Sequence, residues 1–178
     1  MSRGVRVGRG WVKTLGKEVA MPATHSVEVP GAHPLALRPA RISDMFLLMD
    51  LADQVGYRLN PEWIRTRLST DPAAEAHVVA TERDVPIAAA HLYAVASGRE
   101  GGRPWARLTA LVVDEDHRGH GVGTRLLAHC EGLARGLGAE LLEIAIASGR
   151  HDLDGFWCRH GYRRHPPIRY AKLLTDGA

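Results

Sequence analysis

Residues 112–124 read VVDEDHRGHGVGT and set Gly119, Gly121 and Gly123 between an apolar strand end and an amphipathic run. In that run Val122, Leu126, Leu127, Cys130, Leu133, Ala134 and Leu137 recur at helical spacing, so the glycines open a helix. The first turn of a helix has N–H groups without intrahelical partners and carries the positive end of the helix dipole, which attracts an anion. With no side chains at three positions and the Arg118 cation alongside, phosphate oxygens can approach those N–H groups closely. The stretch is built to hold a diphosphate. A P-loop would continue into Gly-Lys-Ser/Thr, but Thr124 and Arg125 follow Gly123. A dinucleotide turn would read GxGxxG after the first strand of a parallel unit, whereas the spacing here is GxGxG.

The surrounding elements fix where that turn sits. LALRPA (35–40) reads as a strand. Ser43 and Asp44 then lead into a helix with an apolar stripe of Phe46, Leu47, Leu51 and Val55. Asn60 and Pro61 start a second helix, EWIRTRLS. HVVATE (77–82), PIAAAHLYAV (86–95) and WARLTALVV (105–113) follow with short connections and read as an antiparallel meander. After the glycine-opened helix come a strand (140–146), a shorter helix (151–160) and a last strand (168–174). This order predicts an α/β chain of the α+β mixed-sheet kind, with a mostly antiparallel central sheet and helices on both faces.

A length of 178 residues suits one domain, placed here at 33–178, with 1–32 as a flexible N-terminal extension and Met21 as an alternative start. That extension holds Arg3, Arg6, Arg9, Lys13 and Lys17, a share of the +3 net charge, and the near-balanced remainder gives no reason to expect nucleic-acid binding. Cys130 and Cys158 fall in helical stretches without disulfide or zinc spacing, as suits the cytoplasm, and no apolar run is long enough for a membrane span. His117 and His120 have no evident third ligand, so no metal is expected. The reading admits a homodimer.

Arg118-Gly119-His120-Gly121-Val122-Gly123 resembles the central motif of the GCN5-related N-acetyltransferase (GNAT) superfamily: Arg or Gln, two residues, Gly, one residue, then Gly or Ala. The resemblance runs over 35–174 and includes FWCRHGY (156–162), which is similar to the family's late aromatic element. It implies the acyl-CoA N-acyltransferase fold with a splayed strand pair, acetyl-CoA as cosubstrate and an amine acceptor. By position, Leu111, Val112, Val113, Arg118, Gly119, His120, Gly121, Val122, Gly123, Thr124 and Trp157 would then bind the cofactor. Val113 would offer backbone hydrogen bonds, and Leu111 and Val112 would line the thioester.

The implied chemistry sets two requirements. An amine with a pKa of about 10.4 must lose a proton, which costs about 4–5 kcal/mol at pH 7. Family members often carry a glutamate on the strand before the glycine turn, but WARLTALVV has no acidic residue. His91 and Tyr93 on the neighbouring strand are candidates for a relay through water. The departing thiolate is commonly met by a tyrosine, and Trp157 stands there instead. Cys158 and His160 lie nearby, and a thiol pKa of about 8.5 lets the thiolate leave with modest help. Asp53, Gln54, Tyr57 and Arg58, and also Arg150, His151, Asp152 and Asp154, could contact either acceptor or solvent. A non-catalytic acyl-CoA-sensing module and an acetyltransferase acting on aminoacyl-tRNA remain alternatives to an N-acetyltransferase of small amines or proteins.

Overall fold

The computed structural model describes residues 25–27, 35–69, 75–95, 104–145, 153–165 and 169–174. Strands β1 (His25–Val27), β2 (Leu35–Pro39), β3 (Glu75–Glu82), β4 (Val85–Val95), β5 (Trp105–Val113), β6 (Leu141–Ala145), β7 (Arg163–His165) and β8 (Arg169–Leu173) accompany helices α1 (Met45–Asp53), α2 (Pro61–Leu68), α3 (Val122–Gly136) and α4 (Asp154–Arg159). The strands form one sheet in the order β1-β2-β3-β4-β5-β6-β8-β7. Neighbours are antiparallel except β5 and β6, which are parallel and joined through α3. The mixed sheet expected from the order of elements is present. It also reaches into the segment read as an extension, because His25–Val27 pairs with Leu35–Leu37. Residues 1–24 lie outside those described.

Two cores flank the sheet. On one face Ala88, Ala90 and Leu92 of β4 meet Leu126, Leu127, Cys130 and Ala134 of α3 together with Trp157 of α4. Small residues on the strand let the helix lie close. Cys130 is wholly buried there, and burial raises its thiol pKa to about 12, so it is chemically quiet. On the other face Met45, Leu48 and Ile64 of α1 and α2 pack on Val79. α2 begins as its sequence suggests, with Asn60 Oδ1 accepting the Glu62 and Trp63 amides at 2.9 and 3.1 Å.

α1 departs from the expected phase. It buries Met45, Leu48 and Leu51, while Phe46 is 70% exposed. Ser43 makes no capping bond. The phase is set instead by Asp44, whose carboxylate accepts the Arg41 amide at 2.7 Å and the Arg38 guanidinium at 2.7 and 3.0 Å. Arg38 also donates from Nε to Asp84 Oδ1 at 3.0 Å, in the two-residue turn between β3 and β4 where Arg83 and Asp84 both have positive φ. One buried arginine thus ties the start of α1 to the hairpin. Burial pushes the Asp44 carboxyl up, but Arg38 and the Arg41 amide outweigh it and hold the pKa below its ordinary value.

Removing one member of such a pair leaves the other charge buried, a loss typically of about 3–5 kcal/mol. Arg38→Met should therefore lower the unfolding free energy by about 3 kcal/mol or more in urea denaturation. Arg65→Met, at the exposed Arg65–Glu62 pair, should change it by less than about 1 kcal/mol.

Candidate active site

Two irregularities in the sheet shape the site. Between β3 and β4 the register runs Thr81↔Pro86 and then Ala80↔Ala88, so Ile87 is an extra residue. Between β4 and β5 it runs His91↔Ala110 and then Leu92↔Leu108, so Thr109 is extra. An extra residue bends a strand and re-aims its side chains. The parallel pairing of β5 with β6 also stops at Leu108↔Ile144, although β5 continues to Val113. From Thr109 onward β5 pairs with no strand on that side among the described residues. A cavity of about 750 Å³ occupies this region.

One limb of the cavity is the glycine turn. Gly119 and Gly121 both have φ of +79°, in the left-handed region, and a Cβ on either would meet no protein atom within 4 Å. Gly123 differs: a Cβ there would contact Val113 Cγ2 at 3.4 Å and Phe156 at 3.7 Å. Two of the glycines thus serve the backbone turn, and the third keeps the cavity wall between β5 and α4 thin. Arg118 folds back and donates from Nε to the Val113 carbonyl at 3.0 Å. Thr124 Oγ1 lies 3.0 Å from His160 Nε2, which links the start of α3 to α4. These features fit a diphosphate group: α3 starts at Gly121 with no side-chain cap, and the turn faces the cavity.

The other limb lies on the α1–α2 face and is lined by Ala52, Val55, Tyr57, Leu59, Trp63 and Ile64. His77 and His91 complete the wall beside Thr109. Here a hydrogen-bonded chain crosses three strands. Glu75 Oε1 lies 2.6 Å from His91 Nε2, and His91 Nδ1 lies 2.6 Å from Thr109 Oγ1. The other Glu75 oxygen is paired with Arg67. Burial raises the Glu75 pKa, but His91 and Arg67 outweigh it and the carboxyl stays below its ordinary value. Because Glu75 is ionised, Nε2 carries the ring proton, and Nδ1 accepts the Thr109 hydroxyl. Burial lowers the His91 pKa against the pull of Glu75, so the ring is a neutral base near pH 7.

His77 stacks on His91 with ring centroids 4.4 Å apart and planes within 16°. Its Nε2 is buried without a hydrogen-bond partner, since Glu75 Oε1 at 3.4 Å is poorly aligned. Burial, reinforced by repulsion from His91, lowers its pKa to about 4. Donor atoms of Glu75, His77 and His91 lie within 4.8 Å of one another, the spacing of a metal site. A metal ion needs the imidazole lone pairs to converge in their ring planes, and two nearly parallel stacked rings do not converge. The geometry is that of a proton chain.

Of the residues expected to hold the cofactor, Leu111, Val112, Val113, Arg118, Gly119, Gly121, Val122, Gly123, Thr124 and Trp157 all line the cavity. His120 is exposed and does not. Trp157 is both wall and core, 3% exposed and edge-on to Tyr162. Tyr93 stands outside the cavity and accepts a bond from Arg107 at 3.3 Å, and Cys158 is exposed on α4 away from it. Gln54 bonds Asp114 at 2.8 Å and the Glu115 amide at 3.0 Å, bracing the approach to the glycine turn. Tyr57 lines the cavity, whereas Asp53 and Arg58 do not. Asp154 receives the Tyr170 hydroxyl. Arg150, His151 and Asp152 lie outside the described residues. Glu75 and Thr109 complete the chain through His91 and His77 stacks on it, yet of these four only His91 stood out in the sequence.

The acetyltransferase (GNAT) family model matches residues 43–162. The chain belongs to the GNAT family. It is 29% identical over 155 residues to the tRNA(Met) cytidine acetyltransferase TmcA of Aeropyrum pernix, covering 73% of this chain and 21% of that protein. It is also 41% identical over 64 residues to the aminoalkylphosphonate N-acetyltransferase of Salmonella typhimurium, covering 36% of this chain and 41% of that one. The chain thus spans less than half the length of either relative. Among solved structures, the GNAT domain of S. lividans PAT superposes with a TM-score of 0.70 at 20% identity, over 85% of this chain and 98% of that one. Arabidopsis thaliana Naa50, solved with the bisubstrate analogue CoA-Ac-MVNAL, superposes with a TM-score of 0.61 at 16% identity, over 78% and 97%. At these identities the two structures establish the GNAT fold. No helix among the described residues is long and apolar enough to cross a membrane.

The buried histidines make stability depend on pH with a definite sign. His77 is neutral in the fold down to about pH 4, whereas in the unfolded chain it takes up a proton near pH 6.5. The unfolded state therefore binds more protons between these values, and stability falls as pH falls through that window. In urea titrations from pH 7 to 4.5, wild type should lose about 1–3 kcal/mol more than His77→Phe, which keeps a stacked ring without the titration. Parallel curves for the two proteins would contradict a buried neutral His77.

Proposed function

We propose that the protein transfers an acetyl group from acetyl-CoA to a primary amine, and that Thr109, His91 and Glu75 accept the proton the amine must lose. One observation carries this reading: the Glu75–His91–Thr109 chain ends in the same cavity as the glycine turn, at the residue where β5 parts from β6. A thioester presented there meets a nucleophile and a base together.

The residues divide the work by position. N–H groups at the start of α3, with Arg118, hold the diphosphate. The edge of β5 from Thr109, which pairs with no strand on that side among the described residues and has its Val113 carbonyl taken by Arg118, offers its remaining backbone groups to an extended pantetheine arm, in the manner of an added strand. Leu111, Val113, Phe156 and Trp157 exclude water around the thioester. Acetyl-CoA supplies an activated acyl carbon. The Thr109 hydroxyl takes a proton from the incoming ammonium, directly or through one water, as its own proton passes to His91 Nδ1. Glu75 stabilises the imidazolium that results. The amine nitrogen then bonds to the thioester carbon, the C–S bond breaks, and one of the two protons left on nitrogen neutralises the thiolate while the other stays on the amide. No acidic side chain is required for departure, which fits Trp157 in the place where a tyrosine was expected.

Removing a positioned base typically lowers rate by about 10²–10⁴. With acetyl-CoA, an amine and a free-thiol readout, Thr109→Val and His91→Gln should lower kcat/KM by about that factor at pH 7. Acetyl-CoA affinity should stay within about threefold, and the deficit should shrink toward pH 9.5, where more of the amine is already unprotonated. A Thr109→Val protein with wild-type turnover would remove the chain from the mechanism. Tight acetyl-CoA binding with no thiol release for any amine would favour a sensing role, a reading to which the absent hydroxyl at Trp157 lends support.

A further inference from the structure

We infer that the acceptor is a primary amine with a single positive charge on an apolar, aromatic body, an arylalkylamine in chemical class. The inference rests on the acetyltransferase reading above and concerns the limb of the cavity away from the glycine turn. Ala52, Val55, Tyr57, Leu59, Trp63 and Ile64 line that limb, and among the described residues no aspartate or glutamate lines the cavity anywhere. Glu75 stands just behind the histidines, but one oxygen is taken by His91 and the other by Arg67. Tyr57 and Trp63 remain 53% and 43% exposed, large ring surfaces left open to solvent at a cavity mouth. The Arg67 guanidinium lies 5.3 Å from the Trp63 ring centre, so a cation already occupies the neighbourhood of the indole.

These features select by charge. Desolvation lowers the pKa of an ammonium group, so an apolar limb eases the proton loss that acylation requires. A monoamine can enter and give up its only charge to the Thr109–His91 chain. A second ammonium would stay charged, with no carboxylate to pair with among the described lining residues and Arg67 nearby, and burying an unpaired charge is strongly unfavourable. A phosphonate or carboxylate on the acceptor gains nothing from Arg67, which is committed to Glu75, and the cavity's other arginines, Arg118 and Arg159, belong to the glycine turn and the end of α4 rather than to α1 and α2. Flat apolar surface on the acceptor gains contact with Tyr57 and Trp63.

The test compares kcat/KM at saturating acetyl-CoA for 2-phenylethylamine, n-butylamine, spermidine, 2-aminoethylphosphonate and a peptide with an N-terminal methionine. The expected order places 2-phenylethylamine first, about tenfold above n-butylamine and at least a hundredfold above spermidine and the phosphonate. Trp63→Ala should raise KM for 2-phenylethylamine about tenfold with little change in kcat, in Tm or in acetyl-CoA affinity. Trp63→Glu should narrow the gap to spermidine. Spermidine or 2-aminoethylphosphonate ranking first would overturn the acceptor assignment and leave the acetyltransferase standing. Preference for the peptide would overturn it in favour of protein N-termini. If no amine is turned over while acetyl-CoA binds, the enzyme reading falls and this inference falls with it.

Discussion

The parting of β5 from β6 is the constraint on which the rest of the molecule depends. The two strands run parallel because α3 carries the chain across the sheet, and among the described residues they pair from Trp105↔Leu141 to Leu108↔Ile144. Past that point β5 bulges at Thr109 and turns toward the start of α3. Had the ladder continued, the cavity would be filled by strand, and the glycine turn would face a closed sheet edge. A half-buried strand edge that pairs with no described neighbour offers its backbone groups to a ligand that lies along it. In a GNAT chain the expected partner is an extended acyl-CoA arm. The glycine turn, the apolar wall of α4 and the histidine chain are arranged around this gap.

The face opposite α3 solves a second problem, keeping a base neutral next to a carboxylate. Glu75 alone would favour a protonated His91, yet burial and the Arg67 cation oppose it. His77, stacked on His91 and held neutral by burial, insulates the ring from water without adding a charge. The same burial that tunes the base makes the surrounding limb apolar. In the proposed reaction, proton removal and acceptor selection share one physical origin, the exclusion of water from a pocket lined by no carboxylate among the described residues.

Local chemistry that shows within a few residues was readable from the sequence. The glycine turn and its helix, the Asn60–Pro61 helix start and the meander of β3 to β5 all follow from signals of this kind. The phase of α1 was not, because it depends on Arg38 and Asp44 meeting across a turn rather than on a cap at Ser43. Nor was the Glu75–His91–Thr109 chain. A plain two-residue hairpin continuing from Glu82↔Val85 would set His77 opposite Ala90, with His91 turned to the other face. Only the extra residue at Ile87 brings His77 level with His91, while Thr109 lies next to Leu108, whose partner Leu92 adjoins His91. Bulges leave little trace in a single sequence, so the absence of an acidic residue from WARLTALVV gave no sign that Glu75 on β3 meets His91 on β4. The short strands β1 and β7 are three residues each and carry no period of their own.

The most direct measurement is calorimetric titration of the protein with acetyl-CoA and, separately, with S-acetylpantetheine, which has the thioester arm but no diphosphate. If the gap between β5 and β6 receives the arm while the α3 terminus holds the diphosphate, acetyl-CoA binds at one site per chain. S-acetylpantetheine then binds at least a hundredfold more weakly, a difference of about 2.7 kcal/mol. Gly121→Glu, which sets a carboxylate at the turn, should bring acetyl-CoA down to the affinity of the truncated compound. Equal affinities for the two ligands in the wild-type protein, or no binding of acetyl-CoA at all, would contradict the account.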